Sequence, residues 1–234
     1  MQKQITVVIG AVLALACASN AAATPLRYGF GFMTQMPGAS TGLASQIVYG
    51  TDASGKPKPV AAERVDLPVG SSFDETVVPD CTASDVELYL FGTAACPESS
   101  QVGGGSGAVD TGCGPPIDPV YGDIYIFHAP EQLLFAGTPP GSHQVASISR
   151  LQIRGSTLEI SNIPVTPGCP PDGETVAQEV NTSLGERTDA TAAFLTTPTT
   201  CRRRTWTSHL LVTYRDGSSE TATATTPCTK APLF

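Results

Sequence analysis

The chain of 234 residues and 24.2 kDa is 41% hydrophobic and only 15% charged, with a formal net charge of −8. Disordered chains need high charge and few apolar residues, so disorder is excluded, and the acidic balance argues against nucleic-acid binding, which needs a basic face. Twenty prolines along the chain exclude coiled coils and long helical bundles.

In chain order, Met1 to Ala23 reads as a signal peptide. Lys3 supplies the positive start, Ile5 to Ala16 the apolar stretch, and Ala21-Ala22-Ala23 the small residues of a cleavage site. Thr24 is then the first mature residue, and Thr24 to Phe234 forms a single domain. Lipoprotein processing at Cys17 is the alternative fate, with Leu15 one position too close for a good lipobox. No later segment reaches transmembrane length.

Leu26 to Phe32 alternates Tyr28, Phe30 and Phe32 on one face and predicts a strand. Leu43 to Tyr49 and Val60 to Val69 predict two more, separated by turn chemistry at Met36-Pro37-Gly38 and a polar loop at Thr51 to Pro59. Ser84-Asp85-Val86-Glu87 is a capping box, so one short helix is expected near residues 84–92, with Gly92 as its stop. Val86, Tyr89 and Leu90 give that helix its expected apolar side. The run Val102-Gly103-Gly104-Gly105-Ser106-Gly107 lacks the Gly-Lys-Ser/Thr ending of a phosphate cradle and reads as a flexible turn or a glycine-kinked strand.

Further strands are expected at Asp123 to His128, Gln132 to Ala136, Val145 to Ile153, Leu158 to Ile163, Glu174 to Leu184 and Ala190 to Thr196. Trp206 to Tyr214 and Ser218 to Thr225 form a hairpin around Asp216-Gly217, a favoured two-residue turn. About ten short strands point to an all-β, two-layer β-sandwich, with a closed barrel as the alternative.

Removing Cys17 leaves six cysteines, an even number that reads as disulfides in an exported chain. Six allow 15 pairings, and locality suggests Cys81–Cys96, Cys113–Cys169 and Cys201–Cys228. Zinc is the competing reading, but there is no C-x-x-C and no histidine at ligand spacing.

Motifs with a mechanism are missing. Gly104-Gly105-Ser106-Gly107-Ala108 lacks the last glycine of a nucleophile elbow, and H-E-x-x-H is absent. His128 and His143 read as solvated loop or strand-end residues, and His209 as a sheet histidine. Asp118 with Asp123, or Asp216 with Glu220, offer oxygen ligands for a surface calcium, although such turns are common without metal. Paired carboxylates could serve glycoside hydrolysis, yet aromatic residues are only 6%, which weakens a sugar-binding cleft. Arg202-Arg203-Arg204 reads as a solvated basic run.

The blocks Pro79-Asp80-Cys81-Thr82-Ala83-Ser84-Asp85, Ala95-Cys96-Pro97 and Val102-Gly103, with Thr205-Trp206-Thr207 and Thr226-Pro227-Cys228, resemble a group of exported β-rich proteins of high-GC Gram-positive bacteria. The resemblance implies export and one β-rich domain. It supplies no catalytic residues.

The expectation is therefore a secreted or envelope module that is structural or binding and not catalytic, without cofactor or metal, whose partner is an envelope polymer or a protein. A hydrolase of envelope or extracellular polysaccharide is the first alternative. A secreted inhibitor presenting the stiff loop Thr138-Pro139-Pro140-Gly141 is the second.

Overall fold

The computed structural model describes residues 23–170, 173–188 and 192–229. Apart from Ala23, the expected signal segment, with Cys17, lies outside the described residues. The described residues form β1 (Arg27–Phe32), β2 (Leu43–Val48), β3 (Val60–Asp66), β4 (Ser72–Phe73), α1 (Asp85–Phe91), β5 (Gln101–Asp110), β6 (Val120–Ala129), β7 (Gln132–Thr138), β8 (Ser147–Arg154), β9 (Thr157–Ser161), β10 (Thr166–Pro167), β11 (Glu174–Leu184), β12 (Leu195–Thr196), β13 (Thr205–Tyr214) and β14 (Ser219–Pro227).

One antiparallel sheet runs β1-β2-β11-β5-β6-β7-β8-β9-β3-β13-β14, with β10 beside β11, and β4 pairs with β12 apart from it. The sheet rolls until its two halves face each other as the layers of a sandwich, close to a barrel. Its edges meet where β1 lies against β13 and β14. There the Leu26 N–H donates to Glu220 Oε2 at 2.7 Å, the Tyr28 hydroxyl bonds Ser208 Oγ at 2.8 Å, and Phe32 meets Trp206 edge-on at 5.6 Å. Covering both edge strands in this way removes the pairing hazard of an open sheet.

Side-chain alternation decides which face is inside. In β13, Trp206, Ser208, Leu210, Val212 and Tyr214 are buried and the residues between them point out. In β6 the last four residues, Ile126 to Ala129, are all buried, because α1 and its flanks cover the outer face there. The glycine run is the interior of β5, between β11 and β6. A Cβ on Gly105 would lie 1.9 Å from the Asn181 carbonyl oxygen, so only glycine permits this approach of β5 to β11.

The helix has the expected capping box. Ser84 N–H donates to Glu87 Oε2 at 2.8 Å, and Glu87 N–H to Ser84 Oγ at 3.3 Å. Gly92 ends it at φ 66, with its N–H on the Leu88 carbonyl. The expected apolar side is corrected. Val86, Tyr89 and Leu90 are 66%, 47% and 67% exposed, whereas Leu88 is fully buried among Phe127, Leu134, Ala136 and Val145. Position on so short a helix is set by its anchors rather than by its pattern. The Cys81–Cys96 bridge, the Arg150–Asp85 ion pair at 2.7 Å and the Thr93 N–H to His143 carbonyl bond hold it with one residue facing the sheet.

The strand expected over Ala190 to Thr196 is also corrected: among its described residues only Leu195–Thr196 forms a strand, Ala193 makes an isolated bridge to Thr188, and residues 189–191 lie outside the described residues. Phe194 and Leu195 are buried instead, filling one end of the roll beside Phe32, Leu67, Leu133 and Trp206. Burial of Phe194 against Phe73 and His128, at 5.4 and 5.3 Å, overrides local strand preference.

Three disulfides brace separate places: Cys81–Cys96 the helical cover, Cys113–Cys169 the loops around the opposite, open end, and Cys201–Cys228 the filled end. Such bridges fit an oxidising environment. Among the described residues no helix is long and apolar enough to cross a membrane.

Candidate functional site

The roll is solid at the Phe194 end and hollow at the other. A cavity of about 480 Å³ lies between the layers, within the ~300–1,000 Å³ range of small-molecule sites. Its floor is Phe30, Leu43, Leu67, Leu133 and Leu184, and its walls carry Ile124, Phe135, Leu151, Ile160 and Val180. Ile124, Phe135, Leu151, Val65 and Val180 point inward and yet are only half-buried. Each packs against the buried core on one side and borders the cavity on the other, and the cavity side forgoes the contacts that a filled core would give.

The mouth is bordered by Val120 and Tyr121 at the start of β6, by Pro139 and Pro140 after β7, and by Pro164 and Thr166 beside β11. Val120 and Tyr121 on this rim are exposed apolar side chains, as is Val165 between Pro164 and Thr166. The loop Thr138-Pro139-Pro140-Gly141, expected as a stiff recognition surface, forms part of the mouth. The Gly141 N–H donates to Asp123 Oδ2 at 2.7 Å and fixes it there.

One carboxyl faces the interior. Glu63 lies midway along β3, in phase with the inward-facing Val65 and Leu67. Tyr49, in phase with Leu43, Ser45 and Ile47, brings its hydroxyl to Glu63 Oε1 and donates to it. Tyr49 is the one hydrogen-bond partner of Glu63 among the described residues. Glu63 also borders the cavity. Burial pushes its carboxyl above the ordinary carboxylate value, against the lowering effect of the Tyr49 bond. Burial, then the neighbouring Glu63 charge, holds the Tyr49 phenol well above its ordinary value. Tyr28, nearer the seam, is pushed up to about 12 by burial despite its bond to Ser208.

The other carboxylates at the cavity border are engaged elsewhere. Glu174 pairs with Arg215 at 2.8 Å, Asp123 accepts from Gly141, and Glu179 accepts from Gln46 and Asn181 on the outer side. Arg215 also donates to the Ile163 carbonyl at 2.8 Å, which fastens it to the rim. Lys58 is held by Glu220 at 2.7 Å and lies over the Tyr214 ring.

The structure scatters the residues singled out from sequence. His128 is corrected from solvated to fully buried. Its Nδ1 lies 3.1 Å from both the Val78 carbonyl and Asp80 Oδ1, its Nε2 3.4 Å from Glu75 Oε2, and it pins the stretch leading into Cys81. A polar ring this deep is held because acceptors surround both nitrogens. His143 is exposed, with Nδ1 3.0 Å from Thr93 Oγ1, and His209 stands on the sheet surface beside Thr223. Asp118 accepts from Thr111 and Gly114, and Asp216 from Ser218, so both carboxylates close their own turns. No group of three or more metal-ligating side chains is brought together among the described residues. Arg202, Arg203 and Arg204 are exposed before β13.

Sequence reasoning missed Glu63 and Tyr49. The signal available was phase: Glu63 alternates with Val65 and Leu67, which places a carboxyl on an apolar face. Comparison with protein-family models, with curated proteins and with solved structures finds no match.

Proposed function

We propose that the protein is an exported, non-catalytic binding module that holds a small, mainly apolar molecule inside the rolled sheet. The hollow carries this reading: inward-facing apolar side chains are left half-exposed around about 480 Å³ that opens through an apolar rim. A predominantly apolar lining favours an apolar guest over water. Export is supported by the order of Lys3, the apolar stretch and the small residues ahead of Thr24, together with the three disulfides. The hydrolase alternative needs two carboxylates facing each other across a cleft, and among the described residues bordering this cavity Glu174, Asp123 and Glu179 are already engaged by Arg215, Gly141 and Gln46.

The test is saturation binding of an environment-sensitive apolar dye to the oxidised chain and to Ile124→Trp. The larger ring projects from the wall into the cavity and takes up part of its volume. Saturable binding by the parent chain and weaker binding by the folded variant are expected. Absence of binding, or equal binding by both, overturns the reading.

A further inference from the structure

The cavity's polar groups are unequal in sign, and that inequality selects a head group. Its inward carboxyl, Glu63, has a single hydrogen-bond donor among the described residues, Tyr49, on one oxygen, and it lines the void. A buried carboxylate with one hydrogen bond is under-satisfied, and burying it further beneath an apolar guest raises the cost. The cations nearby are already used. Arg215 is tied to Glu174 and the Ile163 carbonyl, and Lys58 to Glu220. Among the described residues four carboxylates stand around the cavity, Glu63, Asp123, Glu174 and Glu179, against the single guanidinium of Arg215. An anionic head placed inside therefore meets like charge with no free partner. A neutral hydroxyl satisfies one oxygen. A protonated amine brings both a donor and a counter-charge to the open side of Glu63.

On the binding reading above, we propose that this cavity takes an amphiphilic amine, its apolar body against the Phe30, Leu133 and Leu184 floor and its ammonium head against Glu63. At about 30 Å³ per water-sized group the void holds on the order of fifteen such groups, so a medium-length aliphatic amine fits.

The experiment displaces the bound dye from the full oxidised chain with decylamine, decanol and decanoic acid, three ligands of equal tail. Decylamine is expected to bind about tenfold or more tightly than decanoic acid, with decanol between them. Glu63→Gln is expected to weaken decylamine about tenfold while decanol stays within about threefold. Decanoic acid binding as tightly as decylamine, or decylamine binding unchanged by Glu63→Gln, overturns the head-group assignment and leaves the binding reading standing. Failure of the dye and of all three tails overturns the binding reading itself. If Glu63→Gln does not fold, the ranking on the parent chain decides.

Discussion

Glu63 is an ionisable residue on the apolar face of a strand, and this has a measurable consequence for stability. Its native carboxyl is raised above the ordinary value of 4.5 by burial. Between that value and the raised one, the folded chain binds more protons at this site than the unfolded chain. Stability therefore falls as pH rises through this window, and below it the contribution is fully favourable. Glu63→Gln removes the dependence while keeping an acceptor for Tyr49. As pH rises from about 4 to about 8, the urea midpoint of the variant is expected to gain on that of the parent chain. A difference that stays flat, or moves toward the parent, contradicts the placement of Glu63 in a low-dielectric interior. His128 illustrates the opposite solution at the same scale, a buried polar ring met by acceptors on every side.

Among elements, α1 separates what local chemistry dictates from what packing dictates. Ser84, Glu87 and Gly92 mark its ends through bonds spanning three or four residues, so its bounds were readable in the sequence. Its orientation was not, because seven residues make barely two turns and the anchors lie at Cys81, Cys96 and Arg150. Leu88→Ala is expected to destabilise by about 2–5 kcal/mol, whereas Leu90→Ser stays within about 0.5 kcal/mol; chemical unfolding of both variants measures the contrast. Equal costs contradict the docking described. The same division runs through the sheet. The β13–β14 hairpin was legible because Asp216-Gly217 and the alternation on either side are local. The insertion of β11 between β2 and β5 was not, because its partners lie far away in sequence. The glycine run became a central strand because Gly105 must clear the Asn181 carbonyl, a requirement that exists only once β11 is in place.

For the whole molecule, the all-β class and the sandwich followed from strand count and turn chemistry, while the cavity did not. Inward alternation reads the same whether the facing layers interlock or stand apart, and only the spacing of the layers tells them apart. Here the Phe194 end is filled and braced by Cys201–Cys228, the seam between β1 and β13–β14 is packed, and the remaining volume is held open beneath a rim braced by Cys113–Cys169. A guest that binds only the folded chain must stabilise it. At a hundredfold excess over its dissociation constant the gain is about 2.7 kcal/mol, which for a chain of this size raises Tm by roughly 5–10 °C. The most direct measurement is thermal unfolding of the oxidised chain with increasing decanol, beside folded Ile124→Trp. A saturating rise in Tm for the parent chain and a smaller one for the variant is the predicted result; no rise in the parent, or the same rise in both, contradicts a ligand-holding interior.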